Sequence, residues 1–469
     1  MMQTSLKDFP DFFQPMLVKE LRQGLRTRGF VLMFLAFHLI MAVVLWIAIS
    51  SYNVSSAGNM TNDAIFSILL FALVVVQPLR AQNAISIEVK ANTLELITMT
   101  SMNARRIVVG KWLSLVVQSL LLIVSILPYV VISYLLGGVN LLNELVKFAL
   151  LFLASSALIA GVIGLSSSMM RILPIIILFF FFGAQGLIAM IFSGRSVMPE
   201  FDLQDPQFWL FVLLFLISIS YLAWSAMTLG IHQIAPAAEN HISQHRIIAL
   251  ALTFFVSVSA LTWLTLDLEA ILAGFLMVLI PVMVLALNER DGPIDSVKRR
   301  FTRLGIVGKI VSLLILPGWP TAVFLSGVIA AIAGWTVLRL SASNNIHEEF
   351  VVFVSAVVGA IWLSSMFVTL FTRDRKKRFG FALAVMILLA TLAFLSAFLY
   401  DSNETRLVSW FFAWNPLSYF GYYMNSASDK SQILMLSVGV TISIYLIFAV
   451  IALIKRSNSQ PATLPSEPL

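Results

Sequence analysis

The sequence predicts an all-α fold, a polytopic transmembrane helix bundle of about 12 spans with both termini cytoplasmic. Three observations carry that prediction. Of 469 residues, 59% are hydrophobic and only 11% are charged, whereas soluble domains are about a quarter charged. Twelve apolar runs punctuate the chain, and a hydrocarbon layer about 30 Å thick takes roughly 20 helical residues to cross. With the N-terminus inside, the segments on the inner side hold 25 Lys and Arg and those on the outer side five, the asymmetry of the positive-inside rule. Removing any one span would invert every later segment and spoil that asymmetry.

The predicted spans are 30–50, 64–80, 112–136, 145–165, 172–192, 208–229, 247–266, 269–288, 310–334, 350–371, 380–400 and 432–454. Residues 1–29 form a cytoplasmic amphipathic segment. They carry five Lys and Arg and no early apolar run of signal-peptide type, so the first span is expected to insert and stay. Residues 30–232 and 233–454 are expected as two six-span bundles, and 455–469 as a disordered cytoplasmic tail. Basic stretches precede a span at both 19–29 and 298–309, a weak sign of duplication.

Within 15–28, "PMLVKELRQGLRTR", Pro15 suits a first helical turn. Leu17, Leu21 and Leu25 recur every four residues, and Lys19, Arg22, Gln23 and Arg26 fall on another face. Glu20 and Arg28 complete the charged set. Such a helix lies in the membrane interface with its leucines toward lipid.

The segment 88–111, "EVKANTLELITMTSMNARRIVVGK", is polar between two apolar runs. Asn92 can cap a helix, with Glu95 three residues on, and Ser101 or Asn103 can cap a second helix that runs through Ile107 into the third span. An ordered, charged helix at the membrane edge suits docking of another protein; a solvated loop that only holds topology is the plainer alternative.

At the other side, "WFFAWNPLSYFGYY" (410–423) packs eight aromatics into 14 residues. Trp410, Trp414, Asn415, Pro416 and Tyr419 stand out in it. Two readings are open, an interfacial aromatic anchor and a re-entrant helix that caps the pathway.

Several chemistries are excluded or disfavoured. The chain has no cysteine, hence no disulfide and no thiolate chemistry. Its net charge of +7 follows membrane topology, so no nucleic-acid partner is expected. Gly110-Lys111 continues with Trp112 and Gly308-Lys309 with Ile310, so neither completes a phosphate-binding G-x-x-x-x-G-K-[ST] loop. By these boundaries no Asp, Glu, Lys or Arg sits deep in a span, and Lys147 is at an edge, which disfavours ion coupling. His38 and Gln185 read as packing groups. His232, His241 and His245 with Glu239 match no strong zinc template. No catalytic residue and no metal site is expected.

The order Glu88, then Thr93-Leu94-Glu95-Leu96-Ile97, Thr100, Ile107 and Gly110-Lys111 resembles the signature loop of permease subunits of the ABC transporter superfamily, type 2 exporter class. "VKELRQGLRTR" (18–28) is similar to that family's N-terminal elbow helix, and "NPLSYF" (415–420) to its outer segment before the last span. The likeness covers about the first 140 residues well and the rest by topology. Ser101 stands where the family often has proline, and twelve spans exceed the family's usual six, which leaves two fused halves or one extended permease. The resemblance implies a plasma (inner) membrane permease of an ATP-driven exporter, with 80–111 as a coupling loop docked on a separate ABC ATPase subunit. Glu88, Thr93, Leu94, Glu95, Leu96, Thr100, Arg105, Arg106 and Lys111 would then make the contact. ATP and Mg²⁺ would sit on that partner, and this chain would bind no cofactor. The lipid bilayer and a second permease chain are the other implied partners. A secondary transporter is the alternative, and a membrane-embedded enzyme comes third.

Overall fold

The computed structural model describes residues 15–50, 54–82, 103–137, 139–165, 201–235, 241–262, 268–289, 301, 303, 305–341, 348–372, 375–400, 412–425 and 430–458. Most of the polar segment (Glu88, Thr93, Leu94, Glu95, Leu96 and Thr100), the predicted fifth span with Gln185, Glu239 and Trp410 lie outside the described residues. Among the described residues every regular element is helical, and ten helices are long and apolar enough to cross a membrane. Helices are the expected outcome in lipid, where each backbone N–H and C=O must find its partner within the segment. The chain divides into two compact units, Met1–Ala235 and Pro236–Leu469.

In the first unit, α1 (Pro15–Arg26) is followed by α2 (Arg28–Ser50) and α3 (Val54–Phe71). A π turn, Ala72–Val76, leads into α4 (Gln77–Ala81), and then come α5 (Ala104–Leu136), α6 (Leu141–Leu165) and α7 (Pro206–Ile234). The amphipathic helix therefore ends two residues earlier than predicted. Thr27 stops it: its hydroxyl donates to Gly24 O (2.7 Å) and accepts from Phe30 N–H (3.4 Å), which caps α2. Asn103 occupies the N-cap position of α5 in extended conformation (ψ 146°), and its carbonyl accepts from Arg106 N–H at 2.9 Å.

The core of this unit joins four helices. Phe37 and Met41 of α2 meet Ile65 and Leu69 of α3, Leu122 and Ile126 of α5, and Phe148 of α6. The π turn has a visible partner, since Ser155 of α6 donates to Leu73 O at 2.9 Å. A π turn frees carbonyl capacity that a neighbouring hydroxyl can use.

The second unit holds α8 (Ile242–Thr262), α9 (Leu268–Asn288), α10 (Gly305–Ile315), α11 (Trp319–Ser341), α12 (Glu348–Phe371), α13 (Arg375–Tyr400), α14 (Ser418–Asn425) and α15 (Lys430–Asn458). The predicted span 310–334 does not form as one helix. Pro317 lacks an N–H and disfavours helical backbone at the residue before it, and Gly318 sits at φ 143°. The break leaves α10 short, and the crossing helix is Trp319–Leu340. The predicted eighth span, 269–288, forms as the helix α9, Leu268–Asn288. The predicted disordered tail starts too early as well, because α15 runs on to Asn458. Within this unit α9 packs on α11 and α12, and α15 packs on the same two helices, so the four close a ring.

Candidate functional site

The structure gathers one polar cluster around the ends of the undescribed 83–102 segment. α1 lies along the start of α5. Leu17 is buried and Leu21 and Leu25 are half-buried, while Lys19, Arg22, Gln23 and Arg26 are exposed. The leucine face thus meets protein, and the cations face outward.

Three contacts fix α1. Glu20 Oε1 lies 2.9 Å from Lys111 Nζ. Lys111 keeps only 5% of its surface, so the pair is largely withdrawn from solvent and its charge-assisted bond is of the stronger kind. One turn further along, Gly24 abuts α5 so closely that a Cβ there would lie 2.3 Å from Gln118 Nε2. From the other flank of the segment, Arg80 Nη2 donates to Gly24 O at 3.4 Å and Nη1 to Gln77 Oε1 at 3.1 Å. The Arg80 guanidinium also stands 4.9 Å from the centre of the Phe30 ring. α1 therefore bridges the two ends of the 80–111 stretch, Arg80 and Lys111. Displacing either flank must strain this bridge.

Lys111, expected as one of the docking charges, is buried against α1 and paired with Glu20. Arg105 and Arg106 are exposed on the first turn of α5, as is Arg28 at the start of α2. Gly24, Thr27, Gln77, Arg80 and Gln118 were not singled out from sequence. The spacing of Gly24 between the leucines was the available signal for a close helix approach.

The aromatic segment enters the second unit. Asn415 is fully buried, and its Nδ2 donates to Leu389 O at 2.9 Å. Leu389 lies eleven residues from the end of α13, about 17 Å along the helix. Pro416 Cβ is the neighbour a Cβ on Gly359 would meet at 2.9 Å, and Gly359 is eleven residues into α12. The chain thus dips about half-way along these two helices before α14 turns back. Irregular backbone at that depth needs protein around it, and Phe412, Tyr419, Tyr422 and Tyr423 supply it by packing with Val352 and Ile433. Tyr419 OH donates to Ala413 O at 2.9 Å, and Trp414 remains half-exposed. Burial, together with the carboxylates of Glu348 and Glu349, holds the Tyr423 phenol above its ordinary range.

Two buried ionic clusters were missed. In the second unit Arg246 pairs with Glu289 and donates to Leu316 O, Gly318 O and Thr321 Oγ1, while Glu289 also accepts from Gly318 N–H. This knot ties the start of α8 and the end of α9 to the α10–α11 corner. In the first unit Lys147 Nζ bonds Glu144 Oε1 at 2.9 Å, both side chains being buried. Glu144 Oε2 and Asn62 Oδ1 are buried there without a hydrogen-bond partner. Each charge sits near a span end in sequence, where it reads as a topology marker; only the fold shows the pairing. Among the described residues no three His, Asp or Glu gather as a metal site.

Comparison of the chain with protein-family models, with curated proteins and with solved structures finds no match.

Proposed function

We propose that the chain is the membrane-spanning permease of an ATP-driven ABC exporter, powered by a separate ATPase subunit. One observation carries the reading. The amphipathic helix α1 is bonded to both flanks of the polar segment that resembles a coupling loop, through Glu20–Lys111 on one side and Arg80–Gly24 on the other. In this reading the ATPase docks on 83–102 and on the exposed Arg105 and Arg106. Closure of the ATPase pushes the segment, and α1 carries the push across the edge of the first unit. The packed helices then shift as bodies between inward- and outward-facing states. The α1 end of the first unit faces the cytoplasm of the inner membrane.

The reading is tested by affinity purification of the full chain from native membranes, with P-loop ATPase peptides identified by mass spectrometry. Arg105→Glu with Arg106→Glu is expected to lose the ATPase while membrane insertion is kept. An ATPase retained in full by that variant, or none found with the wild type, counts against the reading.

One observation favours the runner-up, a cation-coupled carrier. The unpartnered acceptors Glu144 Oε2, beside Lys147, and Asn62 Oδ1 are both buried in the first unit, the kind of polar group that ion-coupled carriers use.

A further inference from the structure

The ring of α9, α11, α12 and α15 encloses a cavity of about 640 Å³. Phe275, Leu279, Ala330, Gly334, Val354 and Ile442 contribute to its wall. The Ser355 and Thr441 hydroxyls on the wall are already engaged, and the Tyr445 hydroxyl is packed against Gly327. Ser355 Oγ bonds Val352 O and Ser437 Oγ, and Thr441 Oγ1 bonds Ser355 O at 2.9 Å. Trp362 Nε1 is likewise spent on Ser326 Oγ at 3.0 Å. Water needs two to four polar partners to occupy a buried site, and this wall offers few. A void this large in a packed interior calls for an apolar occupant.

The mouth is different in character. Trp335 and Leu338 line the cavity and are exposed, at 50% and 71%. The exposed Arg339 guanidinium stands 5.6 Å from the centre of the Trp335 ring. From Leu338 down to Gly327 the wall of α11 runs eleven residues, about 17 Å. Half of a hydrocarbon core about 30 Å thick is about 15 Å. The cavity therefore has the depth of one leaflet, an apolar interior and a cation at its rim.

We propose that this ring holds one acyl chain of an anionic phospholipid from the adjoining leaflet, with the lipid phosphate against Arg339. Arg presents a planar fork suited to phosphate oxygens, and its contact with the face of Trp335 keeps that fork at the rim. The assignment stands without an ATPase partner.

The test uses the full chain in vesicles of phosphatidylglycerol and phosphatidylcholine that contain a trace of phosphatidylglycerol with a diazirine in its acyl chain. After irradiation, labelled peptides are mapped by mass spectrometry. Labelling is expected on α11 and α15 at the cavity wall, above that at the exposed, outward Leu436 and Leu446. Gly334→Phe fills the space, and a Cβ at Gly334 has no atom within 4 Å, so this variant is expected to fold and to lose wall labelling to background. Gly334→Leu serves the same purpose if the larger ring disturbs folding. Arg339→Gln is expected to lower wall labelling about tenfold, the worth of a charge-assisted bond. The same diazirine chain on diacylglycerol, which lacks phosphate, should be indifferent to Arg339→Gln. Wall labelling no stronger than at Leu436, or unchanged by filling Gly334, overturns the acyl-chain site. Phospholipid labelling unchanged by Arg339→Gln overturns the phosphate contact.

Discussion

Breaking the Glu20–Lys111 pair should undock α1, and the two single substitutions should not cost the same. The pair is 2.9 Å long, with Lys111 6% and Glu20 20% exposed. Removing one member of a buried pair costs about 3–5 kcal/mol when the other charge stays buried. Glu20→Gln leaves the ammonium inside with its counter-charge removed, so about 3 kcal/mol is expected after allowance for the partial exposure of the site. Lys111→Met keeps the aliphatic stem packed, and the Glu20 carboxylate can turn to water, so about 1.5 kcal/mol is expected. Hydrogen exchange of the purified chain in detergent reads this directly on the amides of α1. At about 1.4 kcal/mol per tenfold, exchange should rise about a hundredfold in Glu20→Gln and about tenfold in Lys111→Met. The double variant Glu20→Met with Lys111→Met should exchange more slowly than Glu20→Gln, because no charge is left buried. Equal effects, the reverse order or no change in α1 would refute the claim that this pair is what fastens the helix.

Three further outcomes can be checked. Arg246→Met strands Glu289 inside the second unit and should destabilise it by about 3–5 kcal/mol, read as a lower midpoint in thermal unfolding in detergent; an unchanged midpoint would mean the knot carries no net stability. Asn415→Leu removes the bond to Leu389 O and the bond from Leu417 N–H and should cost about 2 kcal/mol, seen as faster exchange confined to α14; unchanged exchange there would detach the dip from this side chain. Cysteines placed in this cysteine-free chain at Ser56 and Asn403 should label from outside and one at Ser296 from inside, and the opposite pattern would overturn the assigned topology.

The helices were largely legible because lipid makes the test simple: a run is either apolar for long enough or it is not. Leu141–Leu165 matches the predicted fourth span apart from its first turn. Errors came where a local rule outweighed the average hydropathy of a window. Pro317 and Gly318 split a run whose composition alone is continuous, and Thr27 ends a helix whose leucine spacing would carry on. The amphipathic face of α1 was readable from Leu17, Leu21 and Leu25, but what that face touches was not. Lys111 looked like a surface charge because lysine usually is one. Its burial depends on Glu20, 91 positions earlier, and no local pattern encodes that distance. Arg246 and Glu289 were hidden for the same reason, each resembling an ordinary charge at the foot of a span.

The placement of the buried charges bears on the choice between an exporter and an ion-coupled carrier. Glu144 and Lys147 are the fourth and seventh residues of the span Leu141–Leu165, Arg246 is the fifth of Ile242–Leu261, and Asp63 is the third of Thr61–Ala81. All lie within two turns of a span end. Moving a cation across the membrane on side chains requires acceptors near the midplane, and among the described residues no Asp or Glu stands there. What does reach mid-depth in the second unit is an uncharged element, the Asn415–Pro416 turn, whose Asn415 amide bonds Leu389 O. Charges at the span ends of each unit, and in the second unit a neutral turn at mid-depth, are poorly suited to an ion relay. They are suited to being worked from an edge, and the edge of the first unit carries the α1 bridge. Under the proposed function, a push delivered at Glu20, Lys111 and Arg80 fits these placements better than a gradient sensed at Glu144 would.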